Sequence, residues 1–193
     1  MVIGLTGPTG AGKSEASNYL KSKGFVIIDA DRLVHDMYIN CDICIKAIGL
    51  NFPSVIKDGI VDRKKLAGIV FSDKKQLQKL NKVVNPYIID QLRQKIKKFK
   101  FENIILDAPT LFESGADSLC DKTIAFICNE KIRLNRIISR DGLSKADSIF
   151  RISSQPKDDF YIKHASITIR NDSSIDKLKS ELDSAINAWI NLN

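Results

Sequence analysis

The chain has 193 residues, of which 44% are hydrophobic and 27% are charged, a composition typical of one globular domain with a packed core. No apolar run approaches the ~20 residues that a membrane helix needs, and the first residues do not resemble a signal peptide. The net charge of +7 is compatible with nucleic acid, anionic lipid or a polyphosphate ligand, but no aromatic RNA-binding signature accompanies it. We therefore expect a cytoplasmic protein that binds neither a membrane nor nucleic acid.

Five short apolar runs predict the strands of a parallel sheet. Continuous apolar runs suit strands that are buried on both faces, and helical patterns between them are long enough for parallel crossovers. The predicted strands cover residues 2–6, 25–29, 103–107, 123–128 and 166–169.

A helical insertion is predicted between the second and third strands. Residues 34 to about 100 contain no convincing strand, and they show amphipathic helical patterns over residues 74–82 and 87–98. Elsewhere a first helix is predicted over residues 13–23, and a last helix follows a cap at residues 172–174. One face of this last helix carries Ile175, Leu178, Leu182, Ile186 and Trp189.

The most informative motif is a phosphate-binding loop at residues 7–14. Its sequence Gly-Pro-Thr-Gly-Ala-Gly-Lys-Ser fits G-x-x-x-x-G-K-[ST] at every fixed position, between a predicted strand and a predicted helix. Glycines let backbone N–H groups point at phosphate oxygens, the lysine reaches the β- and γ-phosphates, and the serine hydroxyl binds Mg²⁺. The residues predicted to bind ATP are Gly10, Ala11, Gly12, Lys13, Ser14 and Glu15.

Two strand ends carry carboxylates that could serve phosphoryl transfer. Asp29 and Asp31 follow the second strand, at the edge where parallel sheets bind ligands. Asp31 could accept the proton of an attacking hydroxyl, or one of the two could simply cap the next helix. Asp107 ends the third strand and could act on Mg²⁺ through water, or it could instead bond loop amides.

An arginine-rich helical region covers residues 130–160. Its arginines have helical spacing and could converge on one face, where guanidinium groups would stabilise the transferring phosphate. We predict a lid over the loop at about residues 138–158. The arginines of this region are Arg133, Arg136, Arg140 and Arg151.

The four cysteines do not form a recognisable metal site. Cys41 and Cys44 make a C-x-x-C, but Cys120 and Cys128 lie too far apart to supply a second such pair. We interpret all four as reduced, half-buried thiols of a cytosolic protein.

Several further runs resemble one known family. On these residues the whole chain is similar to the dephospho-coenzyme A kinases, within the nucleoside-monophosphate-kinase-like P-loop proteins. The runs are Gly4-Leu5-Thr6-Gly7, Asp29-Ala30-Asp31 with His35, residues 59–63 with Leu66, Val70-Phe71, Leu80-Asn81, residues 106–113, Arg136 to Arg140, and Arg151-Ile152 with Gln155.

The resemblance implies an α/β fold of the P-loop NTPase type, in which a five-stranded parallel sheet is flanked by helices. It also implies a helical substrate-binding insertion and a helical lid. Residues 1–193 would form one kinase domain, with the insertion at about 34–100 and the lid at about 138–158. The core segments would be 1–33, 101–137 and 160–193.

The implied reaction is ATP- and Mg²⁺-dependent phosphorylation of the ribose 3′-hydroxyl of dephospho-coenzyme A. Lys13, Asp31 and Arg140 would be catalytic, and Ser14 and Asp107 would hold Mg²⁺, the latter through water. This chain has Asn85-Pro86 where the family usually has His-Pro, which removes a possible charge from the substrate site. The residues implied in substrate binding are Asp31, His35, Asn85, Leu111, Phe112 and Glu113.

Other functions remain open from the sequence. Another small-molecule or nucleotide kinase of this fold is the first alternative, although the run at residues 107–113 argues against it. A GTP-binding switch would normally carry N-K-x-D, and Asn81-Lys82-Val83-Val84 lacks the aspartate. The sequence does not fix the oligomeric state, and we expect a monomer.

Overall fold

The computed structural model describes residues 1–190. Its β-strands, in chain order, are β1 (Val2–Thr6), β2 (Val26–Asp29), β3 (Ile56–Lys57), β4 (Ile60–Val61), β5 (Ile104–Asp107), β6 (Lys122–Ile127) and β7 (Ile167–Arg170). The α-helices are α1 (Lys13–Ser22), α2 (Ala30–Asn40), α3 (Asp42–Asn51), α4 (Arg63–Val70), α5 (Lys74–Lys97), α6 (Leu111–Ser114), α7 (Glu130–Asp141), α8 (Lys145–Ser153), α9 (Asp158–His164) and α10 (Ile175–Ile190). Short 3₁₀ turns lie at Pro53–Val55 and Ala116–Leu119.

A five-stranded parallel sheet forms the centre of the fold, in the order β2-β5-β1-β6-β7. Successive residues of β5 point to opposite faces and enter different hydrophobic clusters. Ile104 and Leu106 pack with the insertion, whereas Ile105 packs with α1 and α10. The predicted parallel sheet is therefore confirmed, and the continuous apolar runs are explained by burial on both faces.

The strand predictions are accurate to within one residue at either end, but the insertion contains two features that the sequence prediction missed. A small antiparallel hairpin joins β3 to β4, and Asp58 (φ 51°) and Gly59 (φ 79°) form its left-handed turn. The prediction that residues 34–100 contain no strand was therefore wrong.

The second feature is the continuity of α5, because the helical patterns over residues 74–82 and 87–98 lie in this one helix. Pro86 lies inside it. A proline usually disrupts a helix interior, but the buried stripe of α5 continues on both sides of Pro86 with a four-residue spacing. Packing of this stripe therefore outweighs the local preference for a break. The stripe consists of Leu80, Val84, Ile88 and Leu92.

The last helix follows the prediction. The Lys177 N–H lies 3.4 Å from the Ser174 hydroxyl oxygen, which caps the start of α10. Leu178, Leu182 and Ile186 are buried against α1 and the sheet, while Ile175 lies at the margin of the stripe. Within residues 1–190, no helix is both long and apolar enough to cross a membrane.

Candidate active site

The phosphate loop connects the central strand β1 to α1, and its shape depends on three glycines. Gly7, Gly10 and Gly12 have φ angles of 142°, 78° and 102°, a region that residues with a side chain rarely adopt. Space is also restricted, because a Cβ at Gly7 would collide with the Phe126 carbonyl oxygen and one at Gly12 with the Asn171 amide. Both backbone conformation and close packing therefore require glycine in this loop.

Three side chains hold consecutive carbonyl groups of the loop. Arg133 Nε donates to the Thr9 oxygen at 2.9 Å, and Arg136 Nη1 donates to the Gly10 oxygen at 3.2 Å. Asn171 Nδ2 donates to the Ala11 oxygen at 2.9 Å. These bonds fix the carbonyl groups, and the first N–H groups of α1, which have no acceptor inside the helix, remain for an anion.

Lys13 lies at the start of α1, and its ammonium group contacts Asp107 at the end of β5. The two side chains are only 16% and 14% exposed. Asp107 thus bonds the loop lysine and not the loop amides that one interpretation of the sequence expected. In the sheet register Asp107 also lies opposite Asp29, so two carboxylates end neighbouring strands beside the loop.

Asp29 and Asp31 have different surroundings. Asp29 caps α2, because its carboxylate accepts the Arg32 N–H at 3.0 Å, so Asp31 is not the helix cap. Asp31 is exposed to solvent on one side and flanked by protein on the other. Its pKa is raised by partial burial and by the negative charges of Asp29 and Asp107. The charges of Lys13 and Arg63 oppose this shift. Asp31 therefore lies within electrostatic range of the loop lysine.

Two of the predicted substrate-binding residues lie on helices of the insertion. His35 lies one turn after Asp31 on α2, and its Nδ1 accepts a 2.8 Å hydrogen bond from Arg63 Nη1. Nδ1 is therefore the unprotonated ring nitrogen in this arrangement. Asn85 lies half-buried in the middle of α5.

The three predicted residues of α6 differ in their environment. Leu111 is fully buried, and a Cβ at Gly4 would approach its side chain within 2.7 Å, so Leu111 belongs to the core behind β1. Its place in the substrate site stays a prediction, and solvent does not reach its side chain in this structure. Phe112 is half-buried, and its ring centroid lies 5.5 Å from that of His164. For Glu113, partial burial raises the pKa of the carboxyl group.

A cavity of about 810 Å³ adjoins the other side of the loop, towards α7 and α10. It brings together most of the residues predicted to bind ATP, together with Arg140. Ala11 is fully buried and is not among the residues that line this cavity. The predicted residues that line this cavity are Gly10, Gly12, Ser14, Glu15 and Arg140.

The predicted lid arginines meet at Asp141. Arg140 donates to it through Nε at 2.7 Å and Nη2 at 2.9 Å, and Arg151 donates through Nη1 at 2.8 Å. Arg133 and Arg136 behave differently, since they hold the loop. The sequence identified these four arginines as a group but did not distinguish the two that hold the loop from the two that meet at Asp141. It gave no signal for Asn171, because an isolated asparagine belongs to no motif.

The prediction that the cysteines are free thiols is confirmed, but two of them are fully buried and not half-buried. All four are free thiols, with Cys44 and Cys128 buried and Cys41 and Cys120 partly buried. Burial raises the pKa of Cys44 to about 11, as expected for a thiol among apolar neighbours. Among residues 1–190, no three His, Cys, Asp or Glu side chains form a group that could hold a metal ion.

A parallel sheet whose central strand leads through a glycine-rich loop into a helix is the arrangement of P-loop nucleotide-dependent kinases. The strand-end carboxylate beside the loop lysine fits that class as well. Within it, a family model described as dephospho-CoA kinase matches residues 1–177. The chain belongs to the dephospho-CoA kinase family.

Individual relatives agree with this assignment. A dephospho-CoA kinase of Fusobacterium nucleatum is 38% identical over 184 residues, which cover 95% of each chain. A solved structure from Thermus thermophilus has a TM-score of 0.80 at 29% identity and covers 98% of this chain and 96% of its own. The solved dephospho-CoA kinase of Campylobacter jejuni has a TM-score of 0.68 at 27% identity, with coverage of 96% and 95%.

Proposed function

We propose that this protein transfers the γ-phosphoryl group of ATP to the ribose 3′-hydroxyl of dephospho-coenzyme A, giving coenzyme A and ADP. Family membership supports the reaction. The observation that carries the mechanism is the position of Asp31, a carboxylate with a raised pKa within electrostatic range of Lys13 and Asp107. Such a group beside a phosphate loop can serve an acceptor hydroxyl as well as bind nucleotide.

On the ATP side, Lys13 would leave Asp107 and bind the β- and γ-phosphate oxygens. Ser14 and Asp107 would hold Mg²⁺, Asp107 through water. These two residues would be enough, because Mg²⁺ takes few protein ligands and keeps water and phosphate oxygens. When bound, Mg²⁺ would neutralise phosphate charge. Arg140, which lines the cavity, would add positive charge from the lid.

On the acceptor side, Asp31 would orient the ribose 3′-hydroxyl and accept its proton as the new P–O bond forms. His35, Asn85, Phe112 and Glu113 would bind the rest of dephospho-coenzyme A, with Leu111 supporting them from the core. Asn85 offers hydrogen bonds without charge where the family usually has histidine, so it would contribute no ion pair to this substrate.

We further propose that the protein acts in the cytoplasm as a monomer. The four free thiols support a reducing compartment, because disulfides are rare there and common in secreted proteins.

An acceptor panel tests the proposed function. The purified protein would be given ATP and Mg²⁺ with dephospho-coenzyme A, shikimate or a deoxynucleoside, and ADP formation would be followed for each. We expect kcat/KM for dephospho-coenzyme A to exceed the others by at least about two orders of magnitude, because a site built to bond a substrate rejects analogues that leave its polar groups unpaired. A higher value for another acceptor would refute the substrate assignment.

A further inference from the structure

Thr9, a variable position of the phosphate loop, has both of its backbone polar groups held by side chains. Its N–H donates to Gln155 Oε1 at 2.9 Å, and its carbonyl oxygen accepts from Arg133 Nε at 2.9 Å. Arg133 Nη2 also lies 3.4 Å from the same Gln155 oxygen. The three contacts close a ring, which we call the Thr9 clamp.

Arg133 is buried, and its guanidinium group bonds protein acceptors. Arg133 is 5% exposed, and its Nε and Nη2 are directed at protein acceptors. It is thus not free to turn to a phosphate group, unlike Arg140, which is exposed and lines the cavity. Burial lowers the pKa of Arg133, and the charge of nearby Asp158 opposes this shift. The hydrogen bonds to Thr9 and Gln155 offset the cost of burying the guanidinium group.

The chemistry of the clamp determines which atom Gln155 must present. Both groups that face it, the Thr9 N–H and the Arg133 guanidinium, are donors. Only the amide oxygen can satisfy them, so the NH₂ group of Gln155 points elsewhere. A carboxylate at this position could accept the same two hydrogen bonds, and the bond from Arg133 would be strengthened by charge.

Gln155 also occupies a special place in the chain. It follows α8, whose Arg151 shares Asp141 with Arg140. The segment proposed as the lid therefore ends on the loop that binds phosphate. We propose that Gln155 and Arg133 are positioning residues that fix the phosphate loop in its ATP-binding shape and join the end of the lid to it. The inference rests on the proposed ATP-dependent function, although the clamp is independent of the acceptor.

Two substitutions at one position test this. Gln155→Leu has a similar size but removes the acceptor, and we expect about tenfold weaker ATP binding, the effect of losing roughly one to two hydrogen bonds. Gln155→Glu retains the acceptor, and we expect ATP affinity within about twofold of wild type. If Gln155 instead touched the phosphates directly, the negative Gln155→Glu would bind ATP worse than Gln155→Leu, and that order would overturn the proposal.

The measurements separate the clamp from the proposed reaction. ATP affinity by calorimetry and hydrogen exchange of the Thr9 amide need no acceptor substrate. The Thr9 amide should lose protection in Gln155→Leu and keep it in Gln155→Glu, with KM for ATP rising in the first and kcat changing little. Gln94→Leu, on the exposed surface of α5, is the matched control and should leave the ATP affinity, the Thr9 protection, the KM for ATP and kcat unchanged. Unchanged protection and ATP affinity in Gln155→Leu would also refute the clamp.

Discussion

Asp31 is the proposed general base, and its chemistry would separate a kinase from a protein that only binds nucleotide. Its pKa is raised by partial burial and by Asp29 and Asp107, so its ionised form is disfavoured in the folded protein. When folding raises the pKa of a group, that group stabilises the folded protein fully at pH values below its pKa in the unfolded chain. This stabilisation is lost as the pH rises through its pKa in the folded protein. At neutral pH an ionised Asp31 therefore costs the fold some stability, as is common for a group retained for function.

From this we predict a specific pattern for Asp31→Asn. Turnover should fall by about 10²–10⁴-fold, the usual contribution of a positioned general base, while ATP affinity barely changes. The melting temperature at pH 7 should rise slightly, because an ionised group with a raised pKa is removed. The acid limb of kcat/KM in the wild type, which reports the free enzyme, should have its midpoint above the ordinary aspartate value of about 3.9. Normal turnover in the variant would contradict the catalytic role.

Lys13 provides a second test at the same scale. Lys13→Ala removes the ammonium group that would neutralise the transferring phosphate, and we expect kcat to fall by at least about 10²-fold. Lys21→Ala, at the exposed end of the same helix, is the matched control and should retain activity. Turnover of Lys13→Ala within a few-fold of wild type, measured by ADP formation, would remove the phosphate-loop assignment.

Individual residues were predictable where a motif fixes them. The loop glycines, Lys13 and Asp107 were located from the sequence because backbone geometry and strand ends constrain them. The sequence did not predict that Asn171 and Gln155 hold the loop, because both contact it from more than 140 residues away in the chain. Leu111 was placed in the substrate site by resemblance, whereas its burial gives it a packing role. Sequence spacing does not reveal such long-range contacts.

At the scale of elements, the strands of the parallel sheet were predictable from the sequence. For the insertion, the sequence predicted helices but not the β3–β4 hairpin. Continuous apolar runs identify strands buried on both faces, whereas the two-residue strands β3 and β4 are too short to show a pattern. Asp58-Gly59 was the one signal for this hairpin. The continuity of α5 through Pro86 depends on the packing of its buried stripe, which a local pattern does not show.

The proposed lid is an element with a testable motion. Arg140 and Arg151 are held by Asp141, and phosphate oxygens would compete for the same guanidinium groups. We predict that a non-hydrolysable ATP analogue slows hydrogen exchange across residues 138–158, because closure over the nucleotide orders this segment. Residues 74–97 of α5 serve as an internal reference. Equal protection of the segment with and without the analogue would argue against a lid.

For the whole molecule, we predict one cooperative thermal transition, because the insertion shares a hydrophobic cluster with strands β2 and β5. ATP with Mg²⁺ at 100 times its Kd should stabilise the fold by about 2.7 kcal/mol and raise the melting temperature by roughly 5–10 °C. Calorimetry with and without nucleotide measures both. Two separate transitions, with only one moved by ATP, would show that the insertion is an independent domain.

The central claim is that the protein phosphorylates dephospho-coenzyme A at the ribose 3′-hydroxyl. The most direct measurement is to incubate it with ATP, Mg²⁺ and dephospho-coenzyme A, identify the product by mass, and locate the new phosphate by ³¹P NMR. We predict a gain of one phosphoryl group, present as a 3′-monoester, with one ADP formed for each. An unchanged acceptor mass, or ADP formed equally fast without acceptor, would contradict the claim.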